Sequence, residues 1–276
     1  MRILIIFEMI KKIKNIFRKI LLKFNINVYN FSSKDDILDL LKLFKIKIPK
    51  NIELIRIGSN NDGGYLVPNI IHEISSCFSA GIGNNISFEK DLINRKISVF
   101  GADGTLDSLP EVQKNYNFLR KNICIRDDEE NIRFETWVNL NASNSNSLIG
   151  QIDIEGGEYN LIIDTPLNVL KKFKILVIEF HNLNLISNKI NYNFYLNVFK
   201  KILSIFNICH LHINNSEKPI NIKGVNIPPV IEFTLLRKDF YGNNFQSISI
   251  PHKLDQRNLI NKEDYFFDKT WLKIIS

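Results

Sequence analysis

The stretch Ser76-Cys-Phe-Ser-Ala-Gly81-Ile-Gly83-Asn-Asn-Ile-Ser-Phe-Glu89, with Asp103 twenty positions after Gly83, constrains the fold more than any other segment. It reads as an apolar strand, a glycine turn and a helix start. A second strand, Ile97-Ser-Val-Phe-Gly-Ala, then ends in Asp103. Two glycines let the backbone pass close to a ligand, and a helix N-terminus offers unpaired N–H groups. An acid at the tip of the second strand can accept both hydroxyls of a ribose. An adenosine-containing cofactor suits this layout. A dinucleotide would call for the third glycine of Gly-x-Gly-x-x-Gly, and that position is Ile86. S-adenosylmethionine, which carries a sulfonium and no pyrophosphate, fits better. The alternative is a strand–turn–helix that only builds an α/β core.

Further strands are expected at 76–80, 97–102, 122–126, 149–154, 174–180, 208–213 and 229–236, with helices at 34–44, Glu158–Leu170 and Tyr192–Ile205. Ser33, followed by Asp35 and Asp36, marks a helix start. This alternation predicts one doubly wound, Rossmann-like, seven-stranded sheet, mostly parallel. The last two strands, joined through Asn214 to Asn226, are expected to form a C-terminal antiparallel hairpin. The expected organisation is a basic amphipathic helix over 1–30 and one domain over 31–276.

Ligands of such sheets bind beyond the C-terminal strand ends. Those ends carry Gly81/Gly83, Asp103, Asp127/Asp128, Asp153/Glu155, Glu179/His181 and His212/Asn214/Asn215. One buried carboxylate is usually structural, but a row of polar strand ends along one edge reads as a site.

Charge decides between partners. Of a net charge of +7, residues 1–27 hold seven Lys/Arg and one Glu, a net of +6, which leaves +1 for the rest. A nearly neutral body does not indicate a basic groove, so nucleic acid is not an expected partner. In the N-terminal segment Ile10, Ile13, Phe17, Ile20, Leu21 and Phe24 recur at helical spacing, with Lys11, Lys12, Lys14, Arg18, Lys19 and Lys23 largely between them. Charge interrupts it too often for it to span a bilayer, and it lacks the apolar core and cleavage site of a signal peptide. Two placements suit it: lying on an anionic inner leaflet through residues 1–27, or packed on the domain or a partner. The three cysteines are far apart and make neither a metal spacing nor a disulfide framework. A cytoplasmic protein, peripheral on the inner membrane surface, is the expectation.

The chain resembles the FkbM-type S-adenosylmethionine-dependent methyltransferases, and more closely a branch related to the mammalian methyltransferase-like proteins. Six segments carry the resemblance over about residues 50–260: Arg56-Ile-Gly58-x-x-x-Asp62-Gly-Gly-Tyr65, Ser79–Gly83 with Ile86–Glu89, Asp153-Ile-Glu-Gly-Gly-Glu158-Tyr, Glu179-Phe-His181, His212-Ile-Asn-Asn215 and Pro229–Thr234. One departure is Gly-Ala-Asp103-Gly-Thr105, where the family often has Phe-Asp-Pro-Thr. The resemblance implies a Rossmann-like domain that methylates hydroxyls of sugars or polyketide-type compounds.

The cofactor contacts expected from these motifs and strand ends are Arg56, Asp62, Tyr65, Gly81, Gly83, Asn84, Glu89, Asp103, Asp127 and Asp153, with Asp62 and Tyr65 closing over the methionine end. A hydroxyl is a poor nucleophile, so its proton needs a base or a metal. His181 is the preferred base, with Asp153 and Glu179 shaping the site; His212 is the rival. A histidine that merely caps its strand is the alternative for His181. The competing chemistry places a divalent cation, Mg²⁺ or Mn²⁺, between Asp153, Glu179 and Asn182; a metal-free route is favoured. Nitrogen acceptors often use an Asn/Asp-Pro-Pro-aromatic tetrapeptide, which the strand end Asp153-Ile-Glu155-Gly lacks. No cysteine follows a proline, as pyrimidine carbon methylation would want. Tyr116–Arg120 and Tyr192–Leu196 lack the lysine of a Tyr-x-x-x-Lys epimerase pair. The expected partner is a small-molecule or glycan hydroxyl, on a nucleotide-linked sugar or a surface polysaccharide such as capsule or lipopolysaccharide. A second class remains: a membrane-associated protein that binds the cofactor or a nucleotide sugar without turnover.

Overall fold

The computed structural model describes residues 2–24, 29–111, 114–240, 242 and 244–275. Seven strands form the central sheet: β1 (Ser76–Ala80), β2 (Ser98–Ala102), β3 (Tyr116–Leu119), β4 (Leu148–Ile152), β5 (Phe173–Phe180), β6 (Phe206–Ile213) and β7 (Ile231–Arg237). Their spatial order is β6-β7-β5-β4-β1-β2-β3. All neighbours are parallel except β7, which runs antiparallel to both β5 and β6. Strands covered on both faces read as continuous apolar runs, and every residue of β4, β5 and β7 is buried.

Eight helices occur among the described residues: α1 (Arg2–Lys23), α2 (Lys34–Leu41), α3 (Ser87–Asn94), α4 (Phe134–Ala142), α5 (Glu158–Asp164), α6 (Leu167–Leu170), α7 (Lys189–Ile205) and α8 (Lys269–Ile275). Alternation along the strands splits the apolar residues into two clusters, one on each face of the sheet. Phe78, Ile178 and Phe180 pack with α4, α5 and α7 on one face; Cys77, Val99 and Val177 pack with α3 on the other. On α7 the stripe Tyr192, Tyr195, Val198, Phe199, Ile202 and Ile205 is buried at helical spacing. Tyr195 stacks on Tyr159 of α5 with ring centroids 3.7 Å apart.

Several expected elements differ. The third sheet strand is Tyr116–Leu119; the run expected at 122–126 is a three-residue strand, Asn122–Cys124, that pairs with Asn131–Arg133 in a ribbon of its own. The edge strand β3 is only half-buried, so its apolar signal is weaker than that of its neighbours. The helix expected over Glu158–Leu170 is two, because Pro166 cannot donate and forces Thr165 out of helical geometry. Asn188 caps α7, which therefore begins at Lys189, before the expected Tyr192. Within Asn214–Asn226 a small ribbon pairs Ile220–Ile222 with Val225–Ile227. The run after Glu53 pairs Leu54–Gly58 with Gly64–Pro68, antiparallel. At α2 the expected Ser33 cap is part of a capping box: Asp36 N donates to Ser33 Oγ at 3.0 Å, and Ser33 N to Asp36 Oδ2 at 2.8 Å.

On α1, Met9, Ile13, Ile16, Phe17, Ile20 and Leu22 are exposed. The side chains of Ile10 and Lys11, and all of residues 25–27, lie outside the described residues. Among the described residues no helix is long and apolar enough to cross a membrane.

Candidate functional site

The glycine turn after β1 is held by the acid after β2. Gly81 (φ 78°) and Gly83 (φ 57°) are both left-handed, a conformation that glycine adopts without penalty. A Cβ at Gly81 would collide with the backbone carbonyl of Asp153, whereas a Cβ at Gly83 would meet nothing within 4 Å. Gly81 thus allows the exits of β1 and β4 to touch, and Gly83 opens onto space. Asp103 Oδ2 accepts from Ile82 N and Gly83 N, each at 3.0 Å. Its Oδ1 accepts from Thr105 N at 2.8 Å and Thr105 Oγ1 at 2.6 Å. Burial works to raise the Asp103 pKa, but these bonds outweigh it and hold the carboxyl below its ordinary range. All four acceptor positions of the carboxylate are therefore engaged by the protein itself.

This turn forms one wall of a cavity of about 380 Å³. Of the residues singled out in the sequence, Asp62, Tyr65, Gly81, Gly83, Asn84, Glu89, Asp103 and Asp153 line it. Three other expected residues are placed elsewhere. Arg56 spends its guanidinium on the carbonyls of Ser59 (2.6 Å), Asn61 (3.0 Å) and Leu254 (3.5 Å), so it shapes the loop that carries Asp62. Asp127 accepts from Arg133 N at 2.8 Å and Thr136 Oγ1 at 2.9 Å at the start of α4. The strand end that would have brought it to the site belongs to the separate ribbon. His212 lines a second, smaller cavity of about 150 Å³ with His252, Asp255 and Phe266.

Beside the first cavity, Asp153-Ile-Glu-Gly-Gly-Glu158 folds back on itself. Glu155 (φ 53°) and Gly156 (φ 103°) turn the chain left-handed. The fully buried Glu158 closes the turn: its Oε1 accepts from Ile154 N and Gly156 N, each at 3.0 Å. The same oxygen faces His181 Nδ1 at 3.2 Å, which fixes that nitrogen as the donor. His181 Nε2 then lies 3.4 Å from Glu179 Oε1, 3.4 Å from Glu155 Oε2 and 3.8 Å from Asp153 Oδ1. Asn214 Nδ2 donates to Glu179 Oε1 at 2.9 Å.

Burial pulls the His181 pKa down, but the Glu158 bond and the charges of Glu158, Asp153 and Glu155 outweigh it, so the pKa is raised. Asp153 is raised too, by burial first and then by Glu155 and Glu158, against the pull of His181. Glu179 is pushed well up by burial, with Asp153 and Glu232 adding and the Asn214 bond opposing.

Sheet register extends this cluster into a row. Glu179 stands opposite Glu232 on β7, and Glu232 opposite His212 on β6; directly opposed residues share a face. Glu232 Oε1 accepts from Asn258 Nδ2 at 2.6 Å. Glu232 had a visible signal, an acid inside the apolar run Val230-Ile-Glu-Phe233. Glu158 is likewise in a motif already noted. Asn258 and Asp255 have no local signal, since only the tertiary fold carries their loop to the sheet edge.

A third feature is a buried polar chain behind the glycine turn. Ser79 Oγ contacts both Glu89 Oε1 and Gln151 Oε1, the latter at 2.7 Å. One hydroxyl proton cannot serve two acceptors. A protonated Glu89 donating to Ser79, which donates to Gln151, gives each contact one proton. Consistently, burial lifts the Glu89 pKa to about 7 against the Ser79 bond. The Tyr65 phenol is held protonated by burial and then by the charges of Asp153, Glu179 and Glu232.

Compared with known proteins, the chain matches no family model and no curated protein.

Proposed function

We propose that this chain is an S-adenosylmethionine-dependent O-methyltransferase. One observation carries the reading: among the described residues the cavity wall holds five acids, Asp62, Glu89, Asp103, Asp153 and Glu155, and no lysine, arginine or histidine. Such a wall disfavours a pyrophosphate and suits a ligand carrying a sulfonium and an ammonium. The volume of about 380 Å³ falls in the ordinary range for small-molecule sites. We read the mostly parallel sheet as Rossmann-like, with β6 and β7 as its C-terminal antiparallel hairpin.

When bound, the cofactor supplies an electrophilic methyl group on a positively charged sulfur. Gly81 and Gly83 admit its close approach. Asp103 would meet one ribose hydroxyl by exchanging the Thr105 hydroxyl bond, which leaves the bonds from Ile82, Gly83 and Thr105 N intact. Asp62 and Asp153 would face the methionine ammonium. The acceptor hydroxyl lies toward Asp153, Glu179 and His181, where its proton is removed; Glu158 orients the imidazole for this. The acceptor class, a hydroxyl on a nucleotide-linked or polysaccharide sugar, rests on the motif resemblance. Peripheral contact with anionic membrane is supported by the exposed apolar residues of α1 and the charge of residues 1–27.

Calorimetric titration with S-adenosylmethionine, S-adenosylhomocysteine and NAD tests the reading. The first two should bind and NAD should not. Asp103→Ala should weaken binding by about 1.5–3 kcal/mol, the range for hydrogen bonds to a charged group. Unchanged affinity in the folded variant would sink the assignment.

A further inference from the structure

We propose that Asp153, Glu179 and His181 hold a divalent cation of the Mg²⁺/Mn²⁺ kind beside the cavity. The site stands on its own geometry and does not depend on the cofactor reading. One ligand atom from each of the three residues lies within 4.8 Å of the other two. The distances from His181 Nε2, 3.4 Å to Glu179 Oε1 and 3.8 Å to Asp153 Oδ1, are long for hydrogen bonds. They exceed the roughly 3 Å edge between adjacent ligands of an octahedral ion bound at about 2.1–2.2 Å, so the three side chains would draw in around it.

Unpartnered atoms point to a ligand independently. Asp153 Oδ1 and Glu179 Oε2 are buried and make no hydrogen bond, and the Glu179 side chain is only 6% exposed. A buried, unsatisfied carboxylate oxygen is costly. Among the described residues no lysine or arginine forms an ion pair with Asp153, Glu155, Glu158 or Glu179, and His181 is the basic side chain that faces them.

The surroundings of the histidine complete the case. A metal-binding imidazole nearly always donates its other nitrogen to a carboxylate or carbonyl, which fixes the tautomer and aims the free lone pair. Glu158 does this here: two backbone N–H groups lock it, and it receives His181 Nδ1. Asn214 similarly holds Glu179 by Oε1, leaving Oε2 without a partner. Two carboxylates, one imidazole and no thiolate favour a hard ion that accepts mixed oxygen and nitrogen ligands. Under this proposal His181 Nε2 is a ligand in place of the metal-free base expected from sequence, and Glu158 is a positioning residue.

The test uses the full chain, treated with EDTA and dialysed, and titrated with Mn²⁺ while electron paramagnetic resonance follows the free ion. One Mn²⁺ per chain is expected. Asp153→Asn and Glu179→Gln should each weaken binding at least tenfold. Glu158→Gln should weaken it about 10–100-fold with its melting temperature and circular dichroism unchanged, a split that a merely structural role would not give. His212→Ala should bind like wild type. The half-exposed Asp153 is the decisive position if Glu179→Gln fails to fold. No Mn²⁺ binding by the folded wild type at millimolar ion would overturn the proposal, as would binding that Asp153→Asn leaves unchanged. S-adenosylhomocysteine titrated in parallel separates the two readings. Nucleoside binding without Mn²⁺ binding sinks only the cation site; the converse sinks only the cofactor site.

Discussion

His181 follows β5 and His212 lies in β6, with β7 between them, and both face acids. Their environments nevertheless act in opposite directions. His181 is surrounded by Glu158, Asp153, Glu155 and Glu179, and the acids overcome its burial and raise its pKa. At His212 burial is the larger effect and lowers the pKa, although Asp255 and Asp264 oppose it. The acid there has other partners: Asp255 Oδ1 lies 3.0 Å from His210 Nε2 and 3.9 Å from His212 Nδ1, and Asp255 Oδ2 accepts from His252 N at 2.7 Å. The second cavity thus satisfies its charge internally, while the first leaves carboxylate oxygens unmatched. The contrast shows that two strand-end histidines, each beside acids, can sit in opposite electrostatic environments. What separates the two is the balance of charge that the surrounding loops supply.

The largest expected effect tests that balance directly. His181→Ala should lower turnover on a sugar acceptor by about 10²–10⁴-fold, whether the side chain takes the acceptor's proton itself or holds the ion that assists its loss. That corresponds to about 3–5.5 kcal/mol of barrier. His212→Ala should stay within about threefold, since the side chain serves the other cavity. A reversed order in steady-state assays would move the reactive centre to the His212 side.

Much of this site is legible in the sequence, and the illegible parts have a common cause. The glycine turn, Asp103, Asp153, Glu179 and His181 could be placed because each sits at the end of a strongly apolar strand. Asp127 was misplaced because Ile123-Cys-Ile125 gave a stronger strand signal than the half-buried Tyr116–Leu119, which occupies the sheet edge. Arg56 sits in a sequence motif beside the site, but its guanidinium closes on backbone carbonyls, a use that a charged side chain does not announce. Asp255 and Asn258 reach the row from a loop over forty residues downstream of His212. Long-range packing of that kind leaves no local pattern.

Two buried acids sharpen the comparison through pH. Glu89, in the wall of the first cavity, has its pKa lifted from 4.5 to about 7 by burial. The native state then binds more protons than the unfolded chain over that window, so Glu89's contribution falls as pH rises from about 4.5 through 7. Asp255, behind the second, is held below its usual value: burial raises it, but the His210 bond and the charges of His210 and His212 outweigh that. Its contribution is present above about pH 3.8 and is lost as pH falls through the folded value. Glu89→Gln should therefore gain about 2–3 kcal/mol relative to wild type between pH 5 and pH 8. Asp255→Asn should lose about 1.5 kcal/mol at pH 6, and the loss should shrink toward pH 3. Urea unfolding of the three proteins at these pH values reads both slopes. Parallel slopes for the two variants would mean that the two acids share one environment and that the contrast fails.

The smallest effect on the folded domain is expected from the charges farthest from either cavity. Residues 12–20 of α1 are exposed, including Ile13, Ile16 and Phe17 at 61%, 60% and 62%. Among the described residues the apolar clusters begin at Ile37 and no described side chain of residues 1–24 is buried. Removing residues 1–24 is therefore expected to cost the domain little packing. Its unfolding free energy should change by less than about 0.5 kcal/mol, the scale of surface substitutions, and its turnover by less than about twofold. Binding to vesicles rich in anionic lipid should fall sharply, because each basic residue near such a surface contributes about 1 kcal/mol. Added salt should weaken the full chain's binding without abolishing it, since the apolar side chains are not screened. Flotation of both proteins with anionic and neutral vesicles measures this. Equal flotation would show that the cationic helix, unlike the cation-poor cavity wall, has no membrane partner. A truncated protein that unfolds would show that α1 is packed in solution.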